Sequence, residues 1–301
     1  MDNGCNSMSG TATGLLERHP CFSRAAHHKF GRVHMPVAPA CNIQCKYCVR
    51  KFDCANESRP GVSSRVLSPR EAMERIEALT GRDQRISVIG IAGPGDPLAN
   101  EATFDLLRMA NREYPELILC LSTNGLLLPE KVGELADSGV KTLTVTINST
   151  SPSIAEDIYS WVLYKGVLRE GAEAAMVLVE NQWKGLGMAV AAGLYVKVNT
   201  ILIPGVNEGE IPLIAKRAGG LGATTMNIMS LIPQADFANV RKPSMHEVTA
   251  MRGECSPYVN MMSHCRQCRA DAAGLLGEVK DMEMEALLAK IGEEYEVFVA
   301  F

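Results

Sequence analysis

The sequence lacks several things that would place it quickly. No run of about 18 apolar residues occurs, the length a membrane-crossing helix needs, so no span and no membrane partner are expected. The N-terminus, MDNGCNSMSGTATG, carries neither a basic segment nor an apolar one behind it. No secretory leader is therefore expected, and residues 1–18 read as a flexible tail of a cytoplasmic protein. Basic residues are not in excess: the net charge is −4, and no basic stripe appears. That argues against a nucleic-acid partner. What remains is 301 residues with 47% apolar side chains, enough for one sizeable core or for two domains of roughly 150 residues.

Cysteine, by contrast, is abundant. The chain has 10, and without an export signal these are expected to be reduced, so clustered ones point to metal ligation or catalysis rather than to disulfides. Cys5, in the tail, is incidental; the other nine need an account. Four fall within APACNIQCKYCVRKFDCANESRPG, residues 38 to 61, and three of these, Cys41, Cys45 and Cys48, are spaced C-x3-C-x2-C.

Six short apolar runs read as strands, near 33–38, 86–91, 117–122, 141–147, 193–199 and 225–230, as expected of parallel strands covered on both faces. Helical patterns separate them. Ser68-Pro69-Arg70-Glu71 and Ser244-x-x-Glu247 are capping boxes. Pro129 opens a helix that Gly139 ends, and Pro212 opens one that stops at Gly219-Gly220. Segment 150–185 reads as two helices. Alternating strands and helices predict right-handed βαβ units and an α/β fold, a partial (β/α)6 barrel open on one side. Its chemistry belongs at the carboxyl ends of the strands. The cysteine loop, AGPGDP, STNG, Asn148 and Asn199-Thr200 all fall there. The expected organisation is a barrel over 19–240, a segment over 241–278 packed on its mouth, and a tail over 279–301.

Structural zinc is the plain reading of Cys41, Cys45 and Cys48, but it calls for four closing ligands, usually from paired C-x2-C elements. Three thiols on one loop suit a four-iron cubane held at three corners. Its fourth iron stays open to a small molecule, and an open iron can chelate the amino and carboxylate groups of a methionine moiety.

C-x3-C-x2-C with Tyr47 before its last cysteine, on a loop after the first strand of a βα series, resembles the radical S-adenosylmethionine (SAM) enzymes. The resemblance puts SAM contacts at Tyr47, at Gly93, Gly95 and Asp96 of AGPGDP, and at the strand-end positions Thr146, Asn148 and Val198. AGPGDP departs from the family's GGE-like element, with Gly-Pro-Gly for Gly-Gly. Read without the resemblance, the glycines only permit a tight turn, and Thr146 and Val198 are strand residues.

Residues 19–61, beginning HPCFSRAAHHKFGRVH, and 264–278, HCRQCRADAAGLLGE, are similar to the NifB family of nitrogenase cofactor maturases. That similarity implies a SAM-binding [4Fe-4S] cluster and two further [4Fe-4S] clusters as substrates. These are fused, with a SAM-derived carbide and an extra sulfur, into the eight-iron cofactor precursor. One SAM methylates a cluster sulfide; a second yields the 5′-deoxyadenosyl radical that abstracts hydrogen from that methyl. Cys41, Cys45 and Cys48 would hold the SAM cluster. Cys21, Cys54 and Cys120 would hold the first substrate cluster, with His34 as labile fourth ligand, and Cys255, Cys265 and Cys268 the second. Glu57 and Arg59 would be a proton relay or SAM contact, a loop-pinning salt bridge being the plain alternative. The resemblance also implies cluster donors, a reductant and a cofactor carrier or scaffold protein as partners. Many such chains continue into a carrier-like domain, whereas this one ends soon after 278, so a stand-alone catalytic form is expected.

Blander readings stay open for several of these residues. Cys120 could be a small core hydrophobe, His34 a satisfied histidine, and Cys265-x-x-Cys268 a zinc or redox pair. His27 and His28 read as structural or solvent-facing. The alternative functions are another radical SAM maturase with auxiliary clusters, or a non-catalytic iron–sulfur scaffold.

Overall fold

The computed structural model describes residues 14–58 and 61–277; Cys5, Arg59 and the expected tail over 279–301 lie outside them. The strands in chain order are β1 (Gly31–His34), β2 (Ile43–Cys45), β3 (Ile86–Ile91), β4 (Ile118–Thr123), β5 (Val140–Thr146), β6 (Tyr159–Tyr164), β7 (Val167–Glu170), β8 (Tyr195–Leu202), β9 (Thr225–Ser230), β10 (Met261–Met262) and β11 (Ala273–Gly274). The helices are α1 (Pro69–Arg82), α2 (Glu101–Glu113), α3 (Leu128–Asp137), α4 (Pro152–Ile158), α5 (Gly171–Ala191), α6 (Ile211–Gly220) and α7 (Met245–Cys255). Strands β1, β3, β4, β5, β8 and β9 lie side by side and parallel, curled into the half-barrel that the six apolar runs predict. Among the described residues no helix is long and apolar enough to cross a membrane.

Local chemistry places the elements. Ser68 and Ser244 cap α1 and α7 in reciprocal boxes with Glu71 and Glu247, each cap worth about 1 kcal/mol. Pro129 and Pro212 sit in the first turns of α3 and α6, and Gly139, at φ +84°, turns the chain out of α3. Strand β1 is shorter than the run at 33–38 suggests. It stops at His34, and the chain then leaves the ladder to start the cysteine loop.

Both faces of the sheet are buried, but they differ in kind. Side chains alternate across a strand, and opposed residues of neighbouring strands share a face. Along one face, Ser122 is adjacent to Thr144 and Thr144 to Lys197, and Thr146 is opposite Asn199 and Asn199 opposite Asn227. His34 is opposite Gly90, and Gly90 opposite Cys120. The alternate positions, such as Ile89, Leu119, Leu121, Leu143, Val145, Val196, Val198 and Ile228, are buried apolar core. The barrel therefore has an apolar outer face under the helices and a polar inner face. The strands are covered on both faces, as expected, although the inner face carries polar side chains.

The segment after α7 closes the open half-barrel. β10 pairs with β9 at one edge of the sheet, and β11 pairs antiparallel with β1 at the other. Residues 263–272 bridge the two edges as a strap, and the short strands at its ends pair with part of each edge strand. Segment 150–185 differs from expectation. Between α4 and α5 it forms a β-hairpin, β6–β7, whose first strand pairs with β2. Its aromatic and branched run YSWVLY suits a pleated strand, and Lys165-Gly166, both at positive φ, make its turn.

Two loops are zipped together where the site begins. Gly95 N donates to Ala38 O (2.6 Å), Asp96 N to Ala40 O (2.8 Å) and Ala38 N to Gly93 O (3.3 Å). A Cβ on Gly95 would collide with the Ala40 carbonyl. Gly95→Ala is therefore expected to lower stability by about 1–3 kcal/mol in denaturant titration. Gly133→Ala, in α3 with nothing near its Cβ position, should be neutral or gain up to about 1 kcal/mol.

Candidate active site

Two cavities lie along the polar inner face. The first lies at the carboxyl ends of the strands and is lined by Cys41, Cys45, Cys48 and Cys54, with Tyr47, Gly95, Asp96, Asn124 and Thr146. The second lies deeper against the strands and is lined by Cys21, Cys120, Cys265 and Cys268, with His19, Arg32, His34 and Lys197. Glu57 and Ser122 line both.

The cysteine loop is held from several sides. β2 ties it to the hairpin, and Lys46 N donates to Ile158 O (2.9 Å). Arg50 Nε donates to Gln44 Oε1 (2.8 Å), its guanidinium reaches the Ile43 carbonyl, and it stacks on Trp161 at 5.2 Å. Gln44 Nε2 bonds the carbonyls of Cys45 and Cys48, both at 2.9 Å. The loop is thus held by the hairpin and by the Arg50 and Gln44 side chains, through contacts that involve no sulfur.

The donor set fits a four-iron cluster held at three corners. Burial pushes the Cys41 thiol up to about 11, with Asp96 adding to it. Burial also raises Cys45 and Cys48, with neighbouring thiols adding to the rise at Cys45 and Arg50 opposing it at both. Such thiols become thiolates when a metal supplies the positive charge. Among the described residues no three His, Cys, Asp or Glu side chains are gathered closely enough for a single metal ion. A four-iron cubane is larger than one ion and spreads its thiolates further.

Several expected SAM contacts are engaged by the protein itself. The Asp96 carboxylate accepts from Leu98 N (3.0 Å), Thr123 Oγ1 (2.9 Å) and Asn124 N (2.6 Å). It pins the end of β4 to the AGPGDP loop, and burial raises it to about 6 against those hydrogen bonds. Tyr47 faces the cavity with its ring, while its hydroxyl donates to Asn56 Oδ1 (2.7 Å) and accepts from Asn148 Nδ2 (2.8 Å). Asn148 also bonds Tyr159 and Ile201, so it acts as a brace. Gly93, at φ +139°, serves the turn. Thr146 lines the first cavity. Val198 does not share its face: it alternates with Lys197 and Asn199 and belongs to the apolar core.

The structure sorts the remaining cysteines differently from the expected trios. Cys54 stands with Cys41, Cys45 and Cys48, and those thiols, after burial, raise it further. Cys255 joins neither Cys265 nor Cys268. It is fully buried at the end of α7 among core side chains, as a small hydrophobe. Cys265 and Cys268, on the strap, face Cys21 and Cys120 instead. Burial raises Cys21 to about 12, Lys197 opposing the shift and Cys268 and Cys120 adding to it.

His34 lines the second cavity with one ring nitrogen engaged. Its Nδ1 donates to the Arg269 carbonyl (3.0 Å), which leaves the lone pair on Nε2, the arrangement in which imidazoles bind metals. Burial, then the charge of Arg32, lower it to about 3, so the ring is neutral at physiological pH. Gly90 makes room for it, because a Cβ there would meet the ring at 2.7 Å. Glu57 accepts from Asn199 Nδ2 (2.6 Å) between the two cavities, and burial raises its carboxyl. His27 is buried and stacks on His264 at 4.8 Å, tying the N-terminal segment to the strap.

Four lining residues escaped the sequence reading. Arg32 donates to Gly274 O (2.5 Å), Leu275 O (3.2 Å) and Cys268 Sγ (3.0 Å). His19, Lys197 and Ser122 complete the set. Lysine within the otherwise apolar GLYVKVN was a legible signal, since lysine is almost never fully buried unpaired. Burial works against the charge on Lys197, but Cys21, Glu57, Cys265 and Cys120 outweigh it and raise its pKa.

These features are those of a radical SAM enzyme, and the chain belongs to that superfamily: the Radical SAM superfamily pattern matches residues 35–218. Membership implies a [4Fe-4S] cluster and SAM as cofactors. Solved structures share the fold at 13% identity. SuiB of Streptococcus suis with S-adenosylmethionine bound has a TM-score of 0.54 over 80% of this chain and 52% of its own. Methylornithine synthase (PylB) has 0.51 over 91% and 84%. Within the superfamily, the chain is 45% identical over 278 residues to the FeMo cofactor biosynthesis protein NifB of Klebsiella pneumoniae, covering 90% of this chain and 59% of that protein. It is 47% identical over 272 residues to the NifB of Azotobacter vinelandii, covering 87% and 54%. The resemblance carried by the end motifs thus extends through the chain, which spans somewhat over half the length of these relatives.

Replacing Cys41, Cys45 or Cys48 by Ala is expected to remove one cluster's worth of iron from anaerobically reconstituted protein. Cys255→Ala should keep the wild-type iron content and lose roughly 1–2 kcal/mol of stability through a core cavity. Iron loss in Cys255→Ala would return that residue to the ligands.

Proposed function

We propose that the protein is a nitrogenase cofactor maturase that fuses two [4Fe-4S] clusters, with a SAM-derived carbide and an extra sulfur, into the eight-iron precursor. The observation that carries this reading is the adjacency of two thiol-lined cavities sharing Glu57 and Ser122. A SAM-cleaving site alone needs one three-cysteine set. A second cavity with four thiols and a ligand-ready histidine, sharing lining residues with the first, suits an iron–sulfur substrate placed beside the reacting sulfonium.

The protein's residues divide the work. Cys41, Cys45 and Cys48 hold the resident cluster, which when bound supplies the electron for reductive cleavage of SAM. Tyr47, Gly95 and Thr146 shape the SAM cavity around it. Cys21, Cys120, Cys265 and Cys268, with His34, receive the substrate iron, and Cys54 stands beside the resident cluster's cysteines in the first cavity. His34 is the neutral and weaker donor, so it is the ligand that leaves as the cluster is methylated and fused. Glu57, whose raised carboxyl sits between the cavities, is placed to take the proton released as the methyl carbon loses hydrogens. Cluster donors, a reductant and a carrier for the product are the partners this work requires, in a reducing cytoplasm.

Reconstituted protein given SAM and dithionite is expected to release both S-adenosylhomocysteine and 5′-deoxyadenosine. 5′-Deoxyadenosine alone would instead indicate a maturase of other substrates, and neither product would leave an iron–sulfur scaffold. His34→Ala should still load iron but fuse clusters poorly, and normal fusion in that variant would remove His34 from the mechanism.

A further inference from the structure

The second cavity contains donors that cysteine ligation does not use. Lys197 is 5% exposed and His19 1% exposed, and both line the cavity. Lys197 projects from the middle of β8, adjacent to Thr144 and on the same face as Asn199. A lysine at such a position costs several kcal/mol of desolvation unless an anion faces it. Among the described residues no carboxylate forms an ion pair with it. Glu57, the carboxylate nearby in charge terms, is held by Asn199.

His19 shows a complementary feature. Cys21 N donates to its Nδ1 (3.1 Å), so the ring hydrogen resides on Nε2. That Nε2 is buried and has no partner among the described residues. The two histidines of the cavity therefore have opposite tautomers. His34 presents a lone pair, as a ligand must, and His19 presents an N–H, as a ligand cannot.

We propose that Lys197 and His19 are positioning residues that hold an anionic iron–sulfur substrate through its sulfides, by charge and by N–H donation, without ligating iron. The inference rests on the reading of this cavity as the place of the substrate clusters. A cluster with three thiolates is a net anion, and burying it calls for a compensating cation. Net charge and hydrogen bonds to sulfur also set a cluster's reduction potential, so the two residues tune how readily the substrate accepts an electron.

The test is reconstitution with ferrous iron and sulfide, followed by iron counting and EPR-monitored redox titration. Lys197→Met keeps the apolar stem and removes the charge. It is expected to lose substrate-cluster iron, or to make those clusters at least tenfold harder to reduce, about 59 mV for one electron. Lys197→Arg should restore both, and the SAM-responsive signal of the three-cysteine cluster should be unchanged throughout. His19→Leu is expected to shift the midpoint in the same direction and His19→Gln, which keeps an N–H donor, to restore it. This pair decides the matter if Lys197→Met does not fold. Full iron content with wild-type midpoints in Lys197→Met, or in His19→Leu, would overturn the inference. Wild-type protein that holds a single cluster would overturn the reading of the cavity, and this inference with it.

Discussion

The alternation of side chains across a strand is the constraint from which the rest of this structure follows. One face of each central strand packs under helices and must be apolar; the other faces the chamber. Thr142, Thr144 and Thr146 on β5, and Lys197 and Asn199 on β8, are polar at every second position for this reason. A shift of one residue in any of these registers would put Val145 or Val198 into the chamber and a threonine or lysine under a helix. The apolar outer face fixes the register, and the register delivers the polar inner face to one volume.

The chamber is made usable by pieces that are not part of the βα series. The strap over 263–272 runs from β10 to β11 and carries Cys265 and Cys268 to the strand residues they face. Its Arg269 carbonyl fixes the tautomer of His34, and Ala270 N reaches Asp53 Oδ2 at 3.2 Å, so the strap is joined to the cysteine loop as well as to the sheet. The hairpin does similar work on the opposite side, since β6 holds β2 and Trp161 carries Arg50. Ordering these segments costs conformational entropy, which hydrogen bonds to backbone groups offset in both places.

The fold was legible in the sequence wherever one signal had one meaning. Ser68 with Glu71 and Ser244 with Glu247 could only be helix starts, and six apolar runs at βα spacing could only be a parallel sheet. The hairpin was missed because YSWVLY follows the helix Pro152–Ile158 with no Gly or Pro between them, leaving only a strand propensity that context often overrides. The cysteine loop was legible from spacing alone. The partners of Cys54 and Cys255 were not, because position along the chain does not show which face a residue occupies. Cys255 ends a helix whose inward side is core, whereas Cys120 occupies an inward strand position in register with Gly90. The same alternation that hid Lys197 within an apolar word would have revealed it, had polar residues been counted at every second position.

Charge explains why these features occur together. The second cavity holds four thiols, and burial disfavours the thiolate form of Cys21, Cys120 and Cys265. It also holds a lysine and an arginine at full depth. Each set is costly by itself, and direct pairing between them is limited to Arg32 with Cys268 among the described residues. On the proposed reading, bound iron would turn the thiols into thiolates and the resulting anion would face Lys197. The two costs would then offset each other, and loading the cavity would add to the stability of the fold by mass action. A chamber built in this way favours an occupant that is anionic once its thiolates are counted. A neutral molecule that displaces no thiol proton would leave Lys197 uncompensated, whereas a thiolate-bound iron–sulfur cluster would not.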